Sequence, residues 1–322
     1  MRADAVFSGG GVRVIALAGA MEVAEERGYQ WVNLAGTSAG AILAALRAAG
    51  YRPAELRQLM EDTDFRIFKD RDALDRVPLA GPLLSLLLEK GLYEGQALED
   101  WLAGLLARKG VHTFRDLELP PAVAGDELRF RYRLQVVAAD VTRRRMLVIP
   151  ADLPDYGLDP GDFPVARAVR MSAALPYFYE PVPLVYPTPR GPATSLVVDG
   201  GLVANFPVWL FDVPGVPPWP TFGFRLADPV DEAVPFDGPA GYLVALISTA
   251  LEAREELANA HTAARTIAVP TLGVRTTDFA LDRQTRRRLY QAGRDAATRF
   301  FRRWDFQRYK QAYRGHAGPV AV

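Results

Sequence analysis

The 322-residue sequence contains no cysteine. Disulfides, thiolate catalysis and cysteine-based zinc sites are therefore excluded together. An excess of charge is also missing, since 38 Lys+Arg balance 38 Asp+Glu. Nucleic-acid binders usually carry a basic excess, so no nucleic-acid partner is expected. Lysine is scarce, occurring only at Lys69, Lys90, Lys109 and Lys310. No apolar run is long enough to span a bilayer. The longest, 77–88, is interrupted by Pro78, Gly81 and Pro82. The opening MRADAVFSGG has no apolar stretch of secretory-leader length. The expectation is a cytoplasmic chain, with peripheral membrane contact left open. No EF-hand loop or H-E-x-x-H stretch occurs, so neither a metal nor an organic cofactor is expected.

What is present is an alternation of short apolar runs and helical periodicity. Residues 5–7 and 31–35 read as strands, and 12–27 and 38–49 as helices closed by Gly28 and Gly50. Such βαβα order predicts a three-layer α/β/α domain around a central, mostly parallel sheet. Further strands are expected at 128–138, 146–149, 195–198 and 221–226, and long helices at 239–262 and 282–304. The stretches 150–164 and 181–193 are rich in proline and glycine and read as loops. One domain covers 1–322, with a motif-bearing core at 5–210 and C-terminal elements at 221–305 packed on it.

Three segments carry chemistry. Gly36-Thr37-Ser38-Ala39-Gly40 fits G-x-S-x-G between a predicted strand and a predicted helix. There the small neighbours Gly36, Ala39 and Gly40 let the backbone turn sharply and present the Ser38 hydroxyl at a helix N-terminus. The alternative is that Ser38 is a plain N-cap. Ser8-Gly9-Gly10-Gly11-Val12-Arg13 exposes several N–H groups where an anion could sit. As a dinucleotide fingerprint it fails at Val14, and it lacks the lysine of a P-loop. An oxyanion hole and a plain βα turn remain. Asp199-Gly200-Gly201 follows the apolar run Leu196-Val197-Val198. This is either a turn or a carboxylate at the end of a parallel strand, where open α/β sheets place functional groups.

The histidines are His112, His261 and His316. Chain order admits His261 or His316 as the base of a Ser-Asp-His esterase. His261 lies at a predicted helix end and His316 in a glycine-containing tail, so direct action of Asp199 on Ser38 is the preferred arrangement. The run 78–88 reads as an acyl-chain wall or lipid-facing surface, or as a buried helix. The cluster Arg286-Arg287-Arg288, with Arg302 and Arg303, reads as a solvated helix face or an anionic-lipid contact.

In order, these segments resemble the patatin-like phospholipases. The G-G-G-x-R loop, the G-x-S-x-G elbow and the later D-G-G are joined by Asn205 and Pro207, as in the family's D-G-G-x-x-x-N-x-P run. Residues 168–181 (AVRMSAALPYFYEP) and 138–142 (AADVT) resemble two further family segments. The resemblance implies a lipid or ester substrate, Ser38 as nucleophile and Asp199 as its base. It also implies an oxyanion site from the N–H groups of Gly10, Gly11 and Val12, with Gly9 and Arg13 in the same loop and Gly200 and Gly201 supporting Asp199. An aspartate with an ordinary pKa of about 3.9 is a weak base, so burial is expected to raise it. Val14 stands where the family usually has glycine. A non-catalytic lipid-binding scaffold is the remaining alternative.

Overall fold

The glycine-punctuated start of the sequence folds as its periodicity suggests. The computed structural model describes residues 1–68, 93–124, 127–227 and 262–314. Strand β1 (Arg2–Phe7) leads through a 3₁₀ turn (Gly11–Arg13) to helix α1 (Val14–Glu26). Strand β2 (Gln30–Thr37) leads directly into α2 (Ala39–Ala48). Helices α3 (Pro53–Asp62) and α4 (Gln96–Ala107) follow, then β3 (Leu134–Asp140) and β4 (Arg145–Ile149). Next come α5 (Val165–Ser172), β5 (Val182–Thr188), β6 (Gly191–Asp199) and β7 (Thr221–Ala227). Strand β8 (Thr266–Pro270), α6 (Arg283–Phe301) and α7 (Phe306–Arg314) complete the described chain.

These strands form one mixed sheet of order β5–β6–β3–β2–β1–β7–β8, with β4 pairing to β3 off that path. The run β3–β2–β1–β7–β8 is parallel throughout. Its central strands are buried on both faces, which is why β1 and β2 read as nearly continuous apolar segments. On one face Ala3, Ala5, Phe7 and Leu34 meet α1, α2, α5 and α6. On the other, Val6, Ala35 and Val137 meet Phe130, Leu210 and Phe211. Val32 joins that face, packing on Leu119, Ala124 and Trp219 near the helical turn Pro121–Ala124.

Two expectations are corrected. The strand expected over 128–138 begins only at Leu134, and Leu128–Arg131 is a single helical turn. The reason is burial. Every β3 residue is buried, so the sheet has no exposed face for alternating arginines. Arg129 and Arg131 turn outward instead, onto Glu127 and Glu118. The expected loop 181–193 contains β5 and the start of β6, a hairpin registering Val182 with Val197 through Thr188 with Gly191. Pro183 and Pro187 are tolerated because β5 is an edge strand, where a missing N–H costs no ladder bond. Strand β8 was not foreseen. The expected helix over 239–262, all but its last residue, the apolar run 77–88, His261 and His316 lie outside the described residues.

Helices α1 and α6 approach backbone to backbone. A side chain at Gly19 would meet the Tyr290 main chain, and one at Gly293 would meet Ala16. Arg294 adds ion pairs to Glu22 and Glu26. Arg286, expected on a solvated face, is buried. Its guanidinium donates to the carbonyls of Met60, Glu61 and Thr63 at the end of α3 and lies over the Phe65 ring. It thus satisfies orphan carbonyls at a helix C-terminus.

Candidate active site

Strand β3 sets the geometry. Strand β4 pairs with it from Val136 to Asp140, which occupies one edge. Strands β2 and β6 must therefore share the other edge, and they do so end to end. β2 stops with Thr37 beside Val137, while β6 runs in from the opposite direction and stops with Asp199 beside Ala138. Asp199 therefore ends an antiparallel strand, not the parallel one expected. Ser38 leaves β2 where Asp199 leaves β6, and the Ser38 hydroxyl donates to Asp199 Oδ2 at 2.6 Å.

The elbow at Ser38 is strained, with φ 55° and ψ −128°. Such a conformation costs a non-glycine residue about 1–3 kcal/mol and must be held by its surroundings. Small neighbours make it reachable. A side chain at Gly36 would strike the first turn of α2, and one at Gly40 would strike the main chain of Phe7 and Ser8. A hydroxyl holds it. The Ser38 N–H donates to Ser172 Oγ at 2.8 Å, and Ser172 Oγ donates to the Val137 carbonyl at 2.5 Å. Val137 lies at the seam between β2 and β6, so Ser172 bridges a gap in the ladder. Ser172 is fully buried. It lies inside the segment AVRMSAALPYFYEP, but its role depends on the seam and has no local signature.

Asp199 is 4% exposed. Burial lifts its carboxyl from 3.8 to about 6, against the hydrogen bonds from Ser38 and from the Gly201 N–H that favour the charged form. The Gly201 N–H donates to Asp199 Oδ1 at 2.7 Å, and the Asp199 N–H donates to the Ala174 carbonyl. Both carboxylate oxygens are thus oriented. Gly200 is required by closeness, since a side chain there would meet the Val137 carbonyl.

The glycine loop at the end of β1 is tied down on each side. The Gly9 N–H donates to the Asn205 carbonyl, which ties Asn205 to the loop. Arg13 Nε donates to the Gly10 carbonyl at 3.1 Å. Across a trans peptide the carbonyl and the next N–H point oppositely, so this bond turns the Gly11 N–H away from Arg13. Val12 behaves differently from expectation. Its N–H donates to the Thr276 carbonyl at 3.2 Å, across from the segment between β8 and α6. Among the described residues, the Gly10 and Gly11 N–H groups have no main-chain partner. Val14 is buried and contributes its side chain to a cavity wall.

That cavity opens onto Ser38 and Asp199 and is lined by apolar groups from α2, α3, α4 and the loops at 173–179 and 276–279. Phe178 and Phe279 stack at 5.5 Å beside it. No histidine lines it among the described residues. His112 is exposed, and its main chain is used in a turn with Asp116 and Val165. Asp4, a second buried carboxyl raised by its surroundings, sits in the middle of β1. Burial lifts it to about 7, although Asn33 and Trp219 donate to it. Among the described residues, no cluster of His, Asp and Glu could hold a metal ion, and no helix is long and apolar enough to cross a membrane.

A family model for patatin-like phospholipases matches residues 5–212. The chain is 39% identical over 317 residues to the uncharacterized protein YqhO of Bacillus subtilis (strain 168), covering 95% of this chain and 100% of that one. Among solved structures, VipD from Legionella pneumophila superposes with a TM-score of 0.53 at 18% identity, covering 94% of this chain and 67% of that one. The type III effector ExoU gives 0.47 at 17% identity, and the chain spans 53% of it. The likeness to VipD is one of fold.

Proposed function

The chain belongs to the patatin-like phospholipase family, and on that premise we propose that it is a serine acyl hydrolase cleaving lipid carboxylic esters through Ser38 and Asp199. The observation that carries this is the 2.6 Å hydrogen bond from the Ser38 hydroxyl to a buried carboxylate beside an apolar cavity. Ser38 Oγ attacks the ester carbonyl as its proton passes to Asp199 Oδ2. The negative charge that develops on the carbonyl oxygen is met by the N–H groups of Gly10 and Gly11. Val12, whose N–H is held by Thr276, keeps the loop in place. The positive end of α2, which starts at Ala39, favours the same charge. Asp199 then hands its proton to the leaving alkoxide. In the second half it takes a proton from water as the water oxygen attacks the acyl-enzyme, and it returns that proton to Ser38 Oγ as the acyl–oxygen bond breaks and the carboxylic acid leaves. The raised pKa of Asp199 suits this exchange, because a base nearer the working pH both takes and returns a proton readily.

Intact-mass analysis after fluorophosphonate treatment tests the reading. Wild type is expected to gain one adduct at Ser38. Ser38→Ala is expected to gain none, and a folded Asp199→Asn to label slowly. A well-folded wild type that takes up no adduct would refute it.

A further inference from the structure

The cavity has a direction. Helix α2 starts beside the Ser38 nucleophile, and beyond Ala39 its residues facing the cavity are Ile42 and Leu46, four and eight positions from Ser38 and on one helix face. At 1.5 Å per residue, Ile42 lies about 6 Å and Leu46 about 12 Å along the helix from Ser38. Exposure falls along the same path. Ile42 and Trp101 are only partly buried, whereas Leu46 is 0% exposed and is joined by buried Met60 and Leu98. The far end is therefore closed by side chains of α2, α3 and α4.

We propose that this helix face is a ruler for acyl-chain length, closed by Leu46 and accepting one saturated chain of about eight to ten carbons. The length follows from bond geometry. Tetrahedral carbons about 1.5 Å apart advance about 1.25 Å per bond, so about ten carbons cover the distance from Ser38 to Leu46. The proposal rests on the acyl-hydrolase reading and adds the substrate class to it. The acyl group enters as a single extended chain with its carbonyl at Ser38 and its methyl end at Leu46. Longer chains must leave their tails outside or fold back.

The test is a series of p-nitrophenyl esters from two to sixteen carbons. For wild type, kcat/KM is expected to rise about threefold to fourfold per methylene as apolar surface is buried, and to stop rising at eight to ten carbons. Ile42→Phe, which narrows the cavity nearer the nucleophile, is expected to bring the maximum down to about four to six carbons. Leu46→Phe should lower it less, and Leu46→Ala should move it up by two or three. A shift that follows position along α2 is the signature. An unchanged maximum in all three variants, each still labelled at Ser38 by a short-chain fluorophosphonate, would overturn the ruler. Binding of saturated fatty acids of four to sixteen carbons to Ser38→Ala keeps the ruler separate from turnover. A break in affinity at eight to ten carbons would support it even without ester hydrolysis. Affinity rising smoothly to sixteen carbons would overturn it even if hydrolysis is observed.

Discussion

Replacing Asp199 by asparagine should stabilise the protein while disabling it. In the native state the carboxyl titrates near 6 instead of 3.8, because it is buried against the seam of the sheet. A group raised on folding contributes stability that is present below its unfolded pKa and is lost as pH rises through its folded one. For Asp199 the loss is complete above about pH 7 and corresponds to about 3 kcal/mol. Asparagine carries no charge to bury. It can still accept one of the two hydrogen bonds now made by Ser38 and Gly201. Losing the other costs about 1 kcal/mol. The expected net gain at pH 8 is therefore about 2 kcal/mol. It should shrink through pH 6 and vanish near pH 4. Urea unfolding of wild type and Asp199→Asn at pH 4, 6 and 8 measures it directly. Asp4, also raised by burial, is common to both proteins and cancels in the difference. Over the same variants, fluorophosphonate labelling should slow by about 10²- to 10⁴-fold, the usual contribution of a general base. A variant less stable than wild type at pH 8, or a difference independent of pH, would refute the assignment of a buried, charged Asp199.

Three further outcomes follow from the same geometry. The acid limb of kcat/KM should have an apparent pKa near 6, leaving about a tenth of the activity at pH 5. A limb near 4, measured on an ester that does not itself ionise, would mean an unperturbed base. Ser172→Ala should lose about 2–4 kcal/mol in urea unfolding, because it strands the Ser38 N–H and the Val137 carbonyl in a dry seam. It should also slow labelling of Ser38, and stability lost without any slowing would limit Ser172 to the fold. Gly11→Ala should abolish labelling while costing about 1–3 kcal/mol, since its side chain would collide with Thr276 at a φ of +58°. Labelling at the wild-type rate would show that the loop tolerates displacement.

Much of this site was legible before any coordinates. The glycine spacings around Ser38, in the β1 loop and after Asp199 are local consequences of close backbone approach, and such requirements leave a mark in sequence. Burial of Asp199 is expected from its place at the glycine turn Gly200-Gly201. Other features were illegible because they depend on partners far along the chain. The arginine alternation at 129–133 imitates a half-exposed strand, and only the full burial of β3 excludes it. Prolines hid β5, because position at a sheet edge cannot be read from composition. The engagement of the Val12 N–H by Thr276, 264 positions later, has no local signal at either end. Arg286 looked like part of a charged surface because the carbonyls it serves belong to α3.

In the mechanism proposed above, two residues do what other serine hydrolases do with three, and the mixed sheet accounts for it. A base carried on a loop needs a further group to orient it. Here Ser38 and Asp199 leave two strands whose ends abut on one edge of β3, at neighbouring positions, Val137 and Ala138. Their separation is set by the backbone ladder, which a loop motion cannot change. A one-residue slip of β6 would turn Asp199 to the opposite face, so the register of the hairpin with β5 bears directly on the proposed chemistry. The same abutment buries the carboxylate, which is 4% exposed. Orientation and basicity therefore have one structural cause, the head-on meeting of β2 and β6. That links the antiparallel insertion into an otherwise parallel sheet to the activity proposed for it.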